Sequence, residues 1–392
     1  MRRISIWMLL CLLLLWHGMA GAEERMLLGP GSTCMIAVAE DGSIWGWGEN
    51  GNGQLGLGSK KSPLQPVRTA ENLDGQHVVK VRGGKAHMLF LMDDGTMYAC
   101  GHNQEGQLGL GETGKDVTIP AQIPGLSHIV DFAVGHQHSL ALDAEGHVWA
   151  WGHNDCGQVG DGTRKNQPEP FRLPLEDIEE IACGRKFSLA RAKDGTIYGW
   201  GDNAYGQLGD INRLKSVYAP EILPMSGRFH SLTCGNASCF ALDAEGKVWA
   251  WGRNDYWQLG DSSASERTTE PVMVQFPESF SVKTMDGFNI HTALLTQEGA
   301  VWQWGACGHG QYGLGKRPWR TLPIEACPAQ GVMSVAVNTY TSYILTAYGE
   351  VYASGGNWYG QAGTEDRISH YVMEWTDTGL NLMASVWENP QS

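Results

Sequence analysis

Residues 131–160 read Asp-Phe-Ala-Val-Gly-His-Gln-His-Ser-Leu-Ala-Leu-Asp-Ala-Glu-Gly-His-Val-Trp-Ala-Trp-Gly-His-Asn-Asp-Cys-Gly-Gln-Val-Gly. The first five residues form a short apolar strand, and residues 138–143 form a second. Ala144-Glu145-Gly146 is a turn, with glycine at the position that needs a positive φ. Residues 147–152 alternate large and small side chains as a third strand does. After a loop, Pro168 to Leu173 gives a fourth, proline-bounded strand, tolerated at a sheet edge where not every N–H must donate.

The same phrase recurs seven times. Its closing glutamines are Gln54, Gln107, Gln158, Gln207, Gln258, Gln311 and Gln361, spaced 53, 51, 49, 51, 53 and 50 residues apart. A period near 50 with four strands per copy predicts an all-β chain, a seven-bladed β-propeller with one blade per repeat. The third strands carry aromatic pairs two residues apart, Trp45/Trp47, Trp149/Trp151, Trp249/Trp251 and Trp302/Trp304. Residues two apart share a strand face, so these rings are read as filling the gaps between blades rather than stacking on a ligand. Met26 to Gly31 aligns with the first strand of a repeat. Leu380 to Val386 resembles another, and this tail is expected beside the first blade, closing the ring and covering an open edge.

Arg2 and Arg3 precede an apolar run from Ile4 to Trp16, followed by Ala20-Gly21-Ala22. This is the pattern of a Sec-type signal peptide cleaved after Ala22, which predicts a secreted or periplasmic protein with one domain over 23–392. No other run is long enough to span a bilayer. The mature chain holds 26 Lys+Arg against 42 Asp+Glu, a net charge of −16. That balance argues against a general nucleic-acid or anionic-membrane binder. Eight cysteines remain after cleavage, and export makes disulfides chemically accessible. Cys183 and Cys234 hold one slot in adjacent repeats and are the best candidate pair. There is no C-x-x-C.

Most apparent motifs dissolve into the repeat. Gly46, Gly48 and Gly51 spell G-x-G-x-x-G, but no helical pattern follows as a dinucleotide site requires. His87, His138 and His291 share one slot, which argues for a structural histidine. His136 and His138 form an H-x-H pair without the further ligands zinc needs. Acidic turns such as Asp93/Asp94, Glu145 and Glu245 are spread around a ring, not converged as a calcium site demands. G-x-S-x-G and H-E-x-x-H are absent, so no catalytic, metal or cofactor residues are assigned. Asn236-Ala237-Ser238 is a glycosylation sequon, relevant only in a eukaryotic secretory pathway.

Strand alternation puts the first-to-second and third-to-fourth connections on one face. On that face Tyr205, Tyr256, Trp257, His309, Tyr340, Trp358 and Tyr359 fall on copies four to seven, beside Arg185 and Lys186. Tyr, Trp and Arg anchor protein interfaces, and these nine residues are the candidate partner-binding set. The competing structural reading is that some, Trp257 above all, tuck into neighbouring loops.

The pattern Gly-x-x-His-Ser-Leu-Ala-Leu…Gly-x-Val-Trp-Ala-Trp-Gly-x-Asn-x-x-Gly-Gln-Leu-Gly resembles the regulator-of-chromosome-condensation repeat over nearly the whole mature chain. The resemblance implies a seven-bladed propeller and a protein-binding scaffold, since members serve as exchange factors, ligase-associated domains, light sensors and secreted inhibitors. Among exported members, a β-lactamase inhibitory propeller is nearest in kind. The chain departs from the pattern at Trp257 for Gly, Cys307 for Asn, Ser354 for Trp and Thr341 for His. The leading expectation is a secreted non-catalytic scaffold whose partner is an extracellular or periplasmic protein. The alternatives are an inhibitor of an extracellular enzyme, and a guanine-nucleotide exchange factor-like or enzymatic propeller.

Overall fold

The computed structural model describes residues 26–209, 214–225, 229–262, 265–316, 318–327, 329–364 and 371–388. The signal peptide expected over residues 1–22 lies outside them. Blade 1 is β1 Leu27–Pro30, β2 Cys34–Val38, β3 Ile44–Gly48 and β4 Val67–Arg68; blade 2 is β5 Val78–Gly83, β6 His87–Met92, β7 Met97–Gly101 and β8 Val117–Gln122. Blade 3 is β9 Ile129–Val134, β10 His138–Asp143, β11 Val148–Gly152 and β12 Gln167–Arg172; blade 4 is β13 Ile178–Cys183, β14 Phe187–Ala192, β15 Ile197–Gly201 and β16 Val217–Ile222. Blade 5 is β17 Phe229–Cys234, β18 Ser238–Asp243, β19 Val248–Arg253 and β20 Arg267–Met273; blade 6 is β21 Val282–Phe288, β22 His291–Thr296, β23 Val301–Ala306 and β24 Arg320–Glu325. Blade 7 is β25 Val332–Val337, β26 Thr341–Thr346, β27 Glu350–Gly356 and β28 Tyr371–Asn381, with a short fifth strand β29 Val386–Trp387 outside it. Every blade is an antiparallel meander. The described residues contain one 3-10 turn, Glu71–Leu73, and no helix long and apolar enough to cross a membrane.

Each blade is sealed to its predecessor through the repeat residues. Trp47, Trp151, Trp200, Trp251 and Trp304 are wholly buried. Each donates its indole N–H to the carbonyl of the glutamine one blade earlier: Gln361, Gln107, Gln158, Gln207 and Gln258, at 2.9–3.0 Å. The gap-filling expectation therefore holds for the second ring of each pair. Among the first rings, Trp302 is likewise buried, in one cluster with Val248, Leu259 and Trp304, whereas Trp45, Trp149 and Trp249 are half-buried and their indoles donate to Ser43, Asp143 and Asp243, at or just past the end of the second strand.

The shared histidines are also inter-blade fasteners. His87, His138 and His291 are buried, with Nε2 at 3.2, 3.0 and 3.2 Å from the hydroxyls of Ser139, Ser188 and Ser342 on the next blade. Ser188 spends its own proton on the Gln158 carbonyl, so it accepts from His138. A Cβ on Gly135 would lie 2.1 Å from the His138 ring, which is why glycine stands three residues before it.

Among the described residues no strand is exchanged between the first and last blades. The seam is closed by the Trp47 bond to Gln361, by Thr339 N–H donating to the Ser32 carbonyl at 3.1 Å, and by Glu40 N–H donating to Leu382 at 2.9 Å. Leu380 and Leu382 are buried in one cluster with Met26, Met35, Ala37 and Trp47. Leu380 and Asn381 end the fourth strand of blade 7, rather than forming a first strand, because the irregular pairing of β27 with β28 carries that strand to residue 381. All eight described cysteines are free. Cys183 and Cys234 do not form the candidate disulfide; Cys234 Sγ lies 4.0 Å from Cys239 Sγ, its cross-strand partner.

Candidate interaction face

The third-to-fourth loops are held by the two amide residues of the repeat. The Asn side-chain oxygen accepts the N–H of the residue after the glutamine, as Asn50 does from Leu55 and Asn254 from Leu259. The glutamine oxygen accepts the N–H two residues earlier: Gln207 from Tyr205, Gln258 from Tyr256, Gln311 from His309 and Gln361 from Tyr359. These buried amides build the loop, while of the residues whose N–H they hold Tyr205, Tyr256 and His309 are half-buried and Tyr359 is exposed. This locates the variable positions on the face opposite the second-to-third turns.

The candidate residues separate into three groups. The first is a ladder of aromatic and cationic side chains across blades 4 to 6. The Arg253 guanidinium lies 4.9 Å from the Tyr205 ring and 5.5 Å from that of Tyr256. Tyr256 in turn packs on Trp319 with centroids 5.6 Å apart. Beside them Arg320 covers Trp257 at 4.2 Å and donates to the Asp255 carbonyl at 2.7 Å. Burial works against the charge on Arg253, but the Asp255 carboxylate at 2.5 Å outweighs it and holds the guanidinium above its ordinary pKa. Trp319 is 67% exposed.

The second group is an edge-to-face triad on blades 6 and 7. His309 meets Tyr340 at 4.9 Å and Trp358 at 4.8 Å, and Tyr340 meets Trp358 at 5.2 Å. The third group surrounds the mouth of the central channel, a cavity of about 610 Å³ lined by Arg185, Tyr340 and Tyr359 among others. Lys186 is half-buried and turned onto Asp155, 2.5 Å away, so its charge is already partnered.

Arg253, Trp319 and Arg320 belong to this face and were missed in the sequence. Arg253 sits where other copies have Glu49, His102, His153 and Asp202, a variable position that by itself signals nothing. Trp319 and Arg320 follow an irregular loop whose length differs between copies, so the repeat gives no register for them.

Trp257 has φ +58°. The equivalent residues are glycines with φ near +80°, such as Gly106 at +78° and Gly157 at +83°. A left-handed non-glycine residue costs roughly 1–2 kcal/mol, and a cation–π contact returns about 0.5–2. Trp257→Gly is therefore expected to leave stability within about 1 kcal/mol of the parent while removing a ring from the face. Thermal melting checks this; destabilisation beyond about 3 kcal/mol would make Trp257 a structural residue.

Comparison with known proteins agrees with this architecture. The family model described as RCC1-like domain matches residues 118–384, and the regulator of chromosome condensation (RCC1) repeat matches residues 41–91 and 78–107. The human E3 ubiquitin-protein ligase HERC2 is 32% identical over 334 residues, covering 82% of this chain and 7% of the ligase. The Arabidopsis thaliana Ultraviolet-B receptor UVR8 is 30% identical over 305 residues, covering 77% of this chain and 58% of the receptor. The chain thus spans only part of these relatives. Prp20p from Saccharomyces cerevisiae, whose structure was described with its binding to Gsp1p and histones, superposes with a TM-score of 0.79 at 21% identity, over 95% of this chain and 89% of that one. At that identity the likeness speaks for the fold alone. With a family model covering two thirds of its length and seven blades built on the repeat residues, the chain belongs to the RCC1-like propeller family.

Proposed function

We propose that this propeller is a secreted, non-catalytic protein-binding scaffold that grips an extracellular or periplasmic protein with the loops of blades 4 to 7. The observation that carries the reading is the ladder from Tyr205 to Trp319 with the neighbouring triad of His309, Tyr340 and Trp358. A requirement of the repeat would place aromatics in every copy, yet the equivalent residues in copies one to three are Asn52, Glu105 and Cys156. Partly exposed aromatic and arginine side chains fixed against one another lose little entropy on docking. The export signal in residues 1–22 supports the compartment. Inhibition of an extracellular enzyme is a narrower form of the same reading, since an inhibitor needs only the grip.

The test is capture of a protein from the native extracellular fraction with the purified chain, followed by titration of that protein. Tyr256→Ala and Trp358→Ala are each expected to weaken binding at least about tenfold, the usual size for an interface anchor. Glu145→Ala and Glu245→Ala, on the opposite turns, should leave it unchanged. Binding lost in the turn variants and kept in the aromatic ones would show that the wrong face was chosen.

A further inference from the structure

The channel mouth carries an unbalanced charge. In a chain of net charge −14, its lining holds four cations, Lys80, Arg82, Lys85 and Arg185, against two carboxylates, Glu49 and Asp286. Two of the cations are spoken for. Lys80 pairs with Asp131 and donates to the Phe132 carbonyl at 2.8 Å. Arg82 of blade 2 reaches Asp286 of blade 6, nearly opposite in the ring, at 2.8 Å. That ion pair spans the lumen beneath the rim, and the other Asp286 oxygen accepts the Val337 N–H at 2.8 Å.

Lys85 and Arg185 are different. Both are exposed on the rim, and neither makes an ion pair among the described residues. They stand on blades 2 and 4 with His136 of blade 3 between them. Lys85 N–H donates to the His136 carbonyl at 2.8 Å, and His136 N–H donates to the Arg185 carbonyl at 3.1 Å. The three loops are thus tied in sequence, which fixes the backbone from which both cations rise beside one cavity. Burial first, and then the charges of Arg185, Lys85 and Lys186, press the His136 pKa down to about 4.

We propose that the mouth of the central channel is a binding site for carboxylate groups, with Lys85 and Arg185 as the contacts that recognise them. An arginine fork matches a carboxylate in two parallel hydrogen bonds. The walls below include Phe132, Phe288 and Met285, which suit the carbon skeleton of an organic acid better than a bare, strongly hydrated inorganic anion. The cavity volume is that of an ordinary small-molecule site. The carboxylates can come from a free organic polyacid or from an acidic segment of a protein. This site goes beyond the aromatic grip and does not depend on it.

The experiment is calorimetric titration of the purified chain in about 150 mM salt, where exposed charges are screened beyond about 8 Å. The probes are citrate, a hexaglutamate peptide and inorganic phosphate. Saturable binding of citrate, weakened at least about tenfold by Lys85→Glu and by Arg185→Glu, supports the site and a free polyacid as its ligand. The same loss for hexaglutamate, with no citrate binding, supports it with a protein segment as the source. Lys247→Glu, the same charge change on the opposite turns, should bind like the parent. Absence of binding by both carboxylate probes, equal binding by Lys85→Glu and the parent, or phosphate binding as tightly as citrate would each overturn the proposal. Tyr256→Ala should keep full probe affinity, so failure of the aromatic grip and failure of this site are separate results.

Discussion

Lowering the pH from 8 to 5 is expected to remove about 6 kcal/mol of stability through three buried histidines. Burial holds His87 and His138 at about 3 and His291 at about 4, against an ordinary value of 6.5. The reason is geometric. Each ring uses Nε2 on a serine of the next blade, and each Nδ1 is buried without a hydrogen-bond partner among the described residues. A second proton would create a buried charge with nothing to accept it. These pKa values are depressed, so the unfolded chain takes up protons first. The contribution is complete above about pH 6.5 and is lost as pH falls toward the folded values of about 4 and 3. At pH 5 each histidine costs about 2 kcal/mol, and the sum is a large part of the 5–15 kcal/mol typical of a folded domain. Melting temperature or urea midpoint measured from pH 8 to pH 4 checks this. His138→Phe copies blade 4, where Phe187 fills the same slot against Gly184. It should reduce the acid loss by about a third. A flat profile in the parent, or an unchanged slope in the variant, would contradict this reading.

Deletion of residues 380–392 is expected to cost at least about 4 kcal/mol and to lower the melting temperature by at least about 5 °C. The deletion removes Leu380 and Leu382, which are 1% and 0% exposed and packed against Met26, Met35 and Trp47 at the seam. Burial of a leucine is typically worth about 2–5 kcal/mol relative to a void. It also removes the bond from Glu40 N–H to the Leu382 carbonyl and the Trp387 indole bond to Thr378. Among the described residues no strand is exchanged between blades 7 and 1, so these seam contacts, with the Trp47 bond to Gln361 and the Thr339 bond to Ser32, close the ring. A melting temperature unchanged by the deletion would make the tail a free extension.

The periodic part of this molecule was legible because it repeats. Seven copies of one phrase set the blade count, and the strand limits of the third copy, 138–143, coincide with β10. The shared histidine slot was readable as structural for the same reason, and the inter-blade serine bonds account for it. The face was only half legible. Loop positions counted from the glutamines could be placed, because Gln207, Gln258, Gln311 and Gln361 fix the register two residues away. Trp319 and Arg320 could not, since they follow a loop outside that register. Lys85 was visible as a loop residue. Its partnership with Arg185 depends on loops of three blades meeting at the channel, and no spacing along the chain encodes that. The tail was placed near the seam from its apolar pattern, but its identity as the end of a fourth strand rests on the irregular β27–β28 pairing, which a one-strand reading does not reveal.

The central claim, that the loops of blades 4 to 7 hold a protein partner, is tested most directly by amide hydrogen exchange of the chain alone and in complex with the captured protein. Protection is predicted in the loops around Ala204–Tyr205, Asp255–Trp257, Gly308–His309, Thr339–Tyr340 and Trp358–Tyr359, with no change at the turns around Glu145 and Glu245. Protection confined to those turns, or to the loops of blades 1 to 3, would contradict it.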